Sequence, residues 1–189
     1  MMIEELLDKQ RAFYESGNTL DTRSRRAMLQ ILANTVREVC GDGPETAAVM
    51  DQVKDIRKKL YKWTGTGRLR LLMSLFARPG KAGPVPHGVV LIDGGAAGDS
   101  AGAVMAPLVS ALAAGNTAVV LLPDSPAGET VRRIVDETFT DDFVATVSAA
   151  DEAAPALRDA AFSFVYDCAG SLPCTGYEGF LTFSEMETE

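Results

Sequence analysis

The stretch GVVLIDGGAAGDSAG, residues 88–102, decides how the rest of the chain is read. Its first five residues, GVVLI, form an unbroken apolar run rich in β-branched side chains. Such a run predicts a strand covered on both faces. A glycine-rich turn follows. Small residues from Ala101 to Ala114 then predict a helix stopped by Gly115-Asn116. Strand, glycine turn and helix in that order leave backbone N–H groups pointing at a crevice, where the helix dipole favours an anion. The spacing of GGAAG departs from the G-x-G-x-x-G of dinucleotide-binding turns. Two readings of the turn therefore stand: a phosphate cradle, or a tight turn that uses glycine for positive φ.

Downstream the same grammar repeats. TAVVLL (117–122) predicts a second buried strand, and Ser125 with Pro126 predicts a capped helix running to about Thr138. FVATV (143–147) predicts a third strand, 151–160 a short helix, FSFVY (162–166) a fourth strand and GFLTF (179–183) a fifth. Strands alternating with helices predict an α/β fold: an open, parallel, Rossmann-like sheet with helices on both faces and right-handed crossovers.

Upstream, three amphipathic helices are expected. The first covers 3–15, with Leu6, Leu7, Ala12 and Phe13 near one face. The second covers 21–40, capped by Asp21 or Thr22. The third runs from Pro44 to about Trp63. Residues 1–63 thus read as an N-terminal helical arm. Residues 64–87 carry TGTG, the basic-apolar run RLRLLMSLFAR (68–78) and PGKAGPVP, and read as a linker or oligomerisation segment. Residues 88–189 read as the Rossmann-like domain. Tyr61 and Trp63 are expected as core or interface anchors.

With 189 residues, 47% hydrophobic and 23% charged, the chain can build a core. A net charge of −8 argues against nucleic acid as a partner. No apolar run reaches the roughly 18 residues of a membrane span. The acidic, amphipathic start MMIEELLDKQ does not read as a signal peptide. Cys40, Cys168 and Cys174 are odd in number and show no framework. The expectation is reduced thiols in a cytoplasmic protein. No zinc-type cluster or calcium loop occurs, so no metal is expected.

Several of these segments resemble the cofactor-binding half of aldehyde dehydrogenases, the fatty-aldehyde-type branch in particular. The resemblance is carried by GVVLI (88–92), PLVSALAAGN (107–116) and AVVLLPDSPA (118–127). QRAFYESGNTLDTRSRRAMLQIL (10–32) is similar to that branch's opening helices. AFSFVYDCAGS (161–171) is similar to the strand that leads into its Gly-Ser cofactor loop. The likeness covers most of residues 8–176 and implies a chain truncated to the N-terminal half. It further implies a homodimer.

The departures bear on function. The family's first loop carries a Trp-Asn pair whose Asn amide stabilises the thiohemiacetal oxyanion. That position falls on Ala97 or Gly98, neither of which has a side-chain donor. Loss of one oxyanion donor typically costs about 10²–10³ in rate. The Lys-Pro-Ser-Glu that holds the adenosine ribose is replaced by Leu122, Pro123, Asp124 and Ser125. Gly170-Ser171 keep the third loop's pair, but the next residue is Leu172. Gly95, Gly98, Leu122, Gly170 and Ser171 are therefore degenerate cofactor positions. No cofactor is expected, and NAD(P) is not expected to be gripped. The family's nucleophilic cysteine and general-base glutamate lie beyond the resembling region. Cys168 and Cys174 have no cation near in sequence and read as idle thiols.

Three predicted strands are followed by aspartate: Asp93, Asp124 and Asp167, with Asp99 in the first loop. In a parallel sheet their carboxyl ends share one edge, where ligands of open α/β sheets bind. Convergent carboxylates would repel a phosphate and raise each other's pKa, making a general acid. The structural alternative is that each caps a helix or satisfies a loop. His87 falls at the opposite edge and reads as a surface or interface residue.

Three functions follow as expectations. One is non-redox acid–base chemistry (cyclisation, isomerisation or dehydration) on a small apolar metabolite of specialised biosynthesis, with Asp93, Asp124 or Asp167 moving the proton. Another is a non-catalytic partner of a second enzyme. The third is residual NAD binding completed by another chain.

Overall fold

The computed structural model describes residues 3–63, 86–95 and 97–168. The linker segment up to residue 85, Gly170, Ser171, Leu172, Cys174 and the expected strand at 179–183 lie outside the described residues.

Three helices open the chain: α1 (Ile3–Glu15), α2 (Thr22–Cys40) and α3 (Pro44–Trp63). The alternating region then runs β1 (Val89–Asp93), α4 (Ala101–Ala114), β2 (Thr117–Leu122), α5 (Pro126–Thr138), β3 (Val144–Ser148), α6 (Ala154–Asp159) and β4 (Phe164–Asp167). All neighbouring strands pair in parallel, in the order β3-β2-β1-β4. The expected α/β, Rossmann-like sheet is the fold observed.

The unbroken apolar runs have a direct cause. On β1, Val90 and Ile92 face a cluster built with α2, α3, α4 and α5. Val89 and Leu91 face the other side, where Leu6 and Leu7 of α1 and Leu157 of α6 cover them. Every position of β2 is buried for the same reason. The N-terminal helices therefore share the core, α1 on one face of the sheet and α2 with α3 on the other. Fully burying a Leu or Val side chain contributes about 1.5–3 kcal/mol, so these helices carry a large part of the apolar stabilisation.

Local chemistry sets the helix ends. Asp21, Ser100 and Ser125 cap α2, α4 and α5, each accepting a backbone N–H two or three residues into its helix. Gly115 ends α4 in the left-handed region with φ of 97°. Asn116, fully buried, ties the first two strands together. Its Oδ1 accepts the N–H groups of His87 and Gly88 at 2.6 and 3.0 Å, and its Nδ2 donates to the Ala111 carbonyl at 3.1 Å.

Candidate functional site

The strand order reverses at β1, with β2 on one side and β4 on the other. A crevice at the carboxyl ends of such a switch point is where open α/β sheets bind ligands. Asp93 and Asp167 meet there as register partners of β1 and β4.

The two aspartates do not face each other alone. Arg158, from α6, forks onto Asp93: its Nε donates to Oδ2 at 2.6 Å and its Nη2 to Oδ1 at 3.2 Å. The Gly95 N–H also donates to Asp93 Oδ1, at 3.0 Å. Burial would push the Asp93 carboxyl up. The Arg158 hydrogen bond, the Gly95 N–H and the Arg158 charge outweigh it and hold the group below its ordinary range. Arg158 is pushed up by the same Asp93 contact, with the charge of Asp167 adding to it. This corrects the expectation that crowding makes Asp93 a general acid. A cation that the sequence reading did not place in the crevice reverses the sign of the shift.

The glycine-rich turn now has a local account. A Cβ on Gly94 would lie 2.8 Å from both the Leu121 carbonyl oxygen and a methyl of Val104, so Gly94 serves close packing of β1, β2 and α4. A Cβ on Gly95 would lie 2.7 Å from Nη2 of Arg158, so Gly95 leaves room for the guanidinium. Gly98 takes φ of 66°. Each glycine has a reason inside the chain itself.

The helix N-termini around the crevice are also taken. At α4, Glu45 of α3 reaches across: its Oε2 accepts the Gly102 N–H at 3.3 Å and its Oε1 accepts the Ser100 hydroxyl at 3.1 Å. The Ala103 N–H donates to Ser100 Oγ at 3.3 Å. At α5, Asp99 Oδ1 accepts the Ala127 N–H at 3.1 Å, and Ser125 Oγ accepts the Gly128 N–H at 3.2 Å. Carboxylates are the side chains a helix dipole favours at this end. Asp99 is thus a capping residue, as the structural alternative held.

Asp124 stands apart. It is exposed and lines a shallow cavity of about 360 Å3 with Ser125, Arg132 and Ser148, at the carboxyl ends of β2 and β3. The expected convergence of carboxylates is realised for Asp93 and Asp167 only. Among the described residues, no group of three or more His, Cys, Asp or Glu could hold a metal ion. The Leu122 side chain is core.

Cys168 follows β4, and its N–H donates to the Asp93 carbonyl at 2.8 Å. Its Sγ lies 3.7 Å from the Ala103 carbonyl oxygen. Pro107 sits four residues after Ala103 inside α4 and has no N–H to give that carbonyl. The thiol therefore satisfies an acceptor that proline leaves open. His87 lies at the amino edge, its ring stacked on Phe164 at 5.2 Å between centroids.

Arg158 and Glu45 are the residues sequence reasoning missed. They lie 65 and 57 positions from their partners Asp93 and Gly102, so no local spacing signals them.

The topology and crevice define a Rossmann-like α/β unit. No family model matches the chain. It is similar to the 4,4'-diaponeurosporen-aldehyde dehydrogenase of Staphylococcus aureus, 24% identical over 186 residues. It is also similar in structure to Staphylococcus aureus AldH in its substrate-bound state, with a TM-score of 0.66 at 23% identity. Each match covers 87% of this chain, and the chain spans 40% of the length of either protein. Among the described residues no helix is long and apolar enough to cross a membrane.

Proposed function

We propose that this aldehyde-dehydrogenase-like unit performs non-redox acid–base chemistry on a small, mainly apolar metabolite and does not grip a dinucleotide by its glycine turn. The observation that carries this reading is the occupancy of the crevice donors. The N–H groups of Gly95, Gly102, Ala103, Ala127 and Gly128 all donate to oxygens of the chain's own side chains. A pyrophosphate would have to displace Asp93, Glu45 and Asp99, and their charges oppose it.

In this reading the roles of the aspartates divide. Asp93, paired with Arg158, anchors the crevice and fixes its charge. Asp167 and Asp124 are the proton-transfer candidates, since both are exposed to an incoming molecule. A proton moved between carbon atoms of a substrate needs only a carboxylate within hydrogen-bond reach, and no hydride acceptor.

The test is deuterium incorporation. The full chain is incubated in D2O with apolar metabolites extracted from its native cells, and the products are read by mass spectrometry. The expected result is an isomerised, cyclised or dehydrated product carrying solvent deuterium, lost in Asp124→Asn or Asp167→Asn. Turnover that needs added NAD(P), or full activity in both variants, overturns the reading. A second reading, a docking partner for another enzyme, draws on β4, the outermost strand among the described residues, where Val165 is 51% exposed. Co-purification of a stoichiometric enzyme with an inactive chain would favour it.

A further inference from the structure

On the side of the α4 N-terminus where α2 and α3 pack, the C-terminal end of α2, the first turns of α3 and α4, and α5 line a second, half-open cavity of about 200 Å3. Val36, Val49, Met105 and Ile134 form its floor, all of them buried. Ala101 and Gly102 open it, because neither projects a side chain large enough to fill the space. Glu45 stands at its rim.

The walls select a ligand by chemistry. An anion would meet the Glu45 charge, and the α4 donors nearest it are already used. A cation would lose its hydration against four apolar side chains. The Glu45 oxygens each accept one hydrogen bond from α4 or its cap, and each carboxylate oxygen has two lone pairs. Acceptor capacity therefore remains at the rim. Burial, with the Glu45 charge adding, pushes the Cys40 thiol up, so the wall is not primed for covalent capture. An apolar cavity of about 150 Å3 is enough to take benzene. The space here suits a molecule of about six to ten non-hydrogen atoms.

We propose that this cavity binds a small, uncharged, mainly apolar molecule that donates one hydrogen bond to Glu45, the class of a short-chain alcohol. The proposal shares Glu45 and Gly102 with the α4 terminus described above, but needs no proton transfer by Asp124 or Asp167.

The experiment titrates 1-hexanol and hexanoate into the full chain and follows the methyl carbon of Met105 by NMR. Saturable shifts with 1-hexanol are expected, with hexanoate weaker by about tenfold or more. Ala101→Leu fills the opening and should weaken 1-hexanol about tenfold with an unchanged melting temperature. Should that variant fail to fold, Gly102→Ala replaces it. Its added Cβ would lie 3.7–3.8 Å from Ser100 Oγ and the Glu45 carboxylate, ordinary contact distance, and it should weaken binding severalfold. No saturable shift with 1-hexanol, equal binding of hexanoate, or wild-type affinity in the folded filled variant would overturn the proposal.

Discussion

The two edges of the sheet use polar groups in opposite ways. At the amino edge they are mainly buried and tie backbone groups together, although Arg25 Nε and the Thr19 and Thr117 hydroxyls find no partner among the described residues. Asn116 satisfies two N–H groups and a carbonyl, and Arg25 donates to the Ala113 carbonyl of α4 at 2.8 Å and to the Leu20 carbonyl at 3.1 Å. At the carboxyl edge they are charged and open: Arg158 is 46% exposed, and Asp99, Asp124 and Asp167 reach solvent. The first edge fixes the register of β1 and β2. The second holds the groups that can meet a molecule from outside. Burial and exposed charge are thus divided along the strands of one sheet.

The largest expected effect lies at the amino edge. Asn116→Ala strands the N–H groups of His87 and Gly88, while the Ala111 carbonyl keeps the backbone N–H of residue 116, and each stranded donor costs about 1–3 kcal/mol. A loss of about 3 kcal/mol in urea unfolding is expected. Arg158→Leu at the carboxyl edge should cost about 1 kcal/mol, because its guanidinium is half in water. Equal losses would break the contrast.

A sharper version sits within one turn. Gly94→Ala drives a Cβ into backbone and a packed methyl, and should cost about 2 kcal/mol. Gly95→Ala meets the movable tip of Arg158 first, then Asp93 Oδ1 at 3.1 Å and the Ala149 Cβ at 3.4 Å, and should cost about 1 kcal/mol. In an Arg158→Ala background the Gly95 effect should shrink to what the Asp93 and Ala149 contacts leave, which a double-mutant cycle measures. A Gly95 cost as large as that of Gly94 would contradict the local account of the turn.

The smallest effect is a pH dependence. Asp93 is held below its ordinary range in the folded chain. Its pairing therefore contributes fully above the unfolded-state value, and the contribution is lost as pH falls below about 4 through the folded-state value. Arg158→Leu should flatten that acid limb of the stability curve, and carbon-detected titration of the Asp93 carboxyl should move upward. An unchanged titration would remove Arg158 from the account.

Much of this fold was legible in the sequence because two-sided burial writes unbroken apolar runs. GVVLI and TAVVLL could be little else once helix signals separated them. Caps at Asp21 and Ser125 are local, within three residues, and such signals survive in one dimension; Ser100 caps α4 in the same way but is not among the expected caps. β1 begins at Val89 instead of Gly88, whose φ of 122° is outside the strand range. The placement of α1 was not legible. Its Gln10 amide donates to the carbonyls of Ala118 and Asp141, more than a hundred residues away. The candidate site was read in half. The aspartates at the strand ends were visible, but Arg158 and Glu45 arrive from distant elements. They decide that Asp93 is an anchor and that the α4 terminus is filled.

The central claim is that the crevice donors are already satisfied by the chain's own oxygens. Calorimetric titration of NADH into the full chain, at low salt, tests it most directly. The account predicts no saturable binding up to about millimolar ligand, a range in which an occupied site gains under about 4 kcal/mol. Saturable micromolar binding, weakened by Gly102→Ala at the α4 terminus, would contradict it.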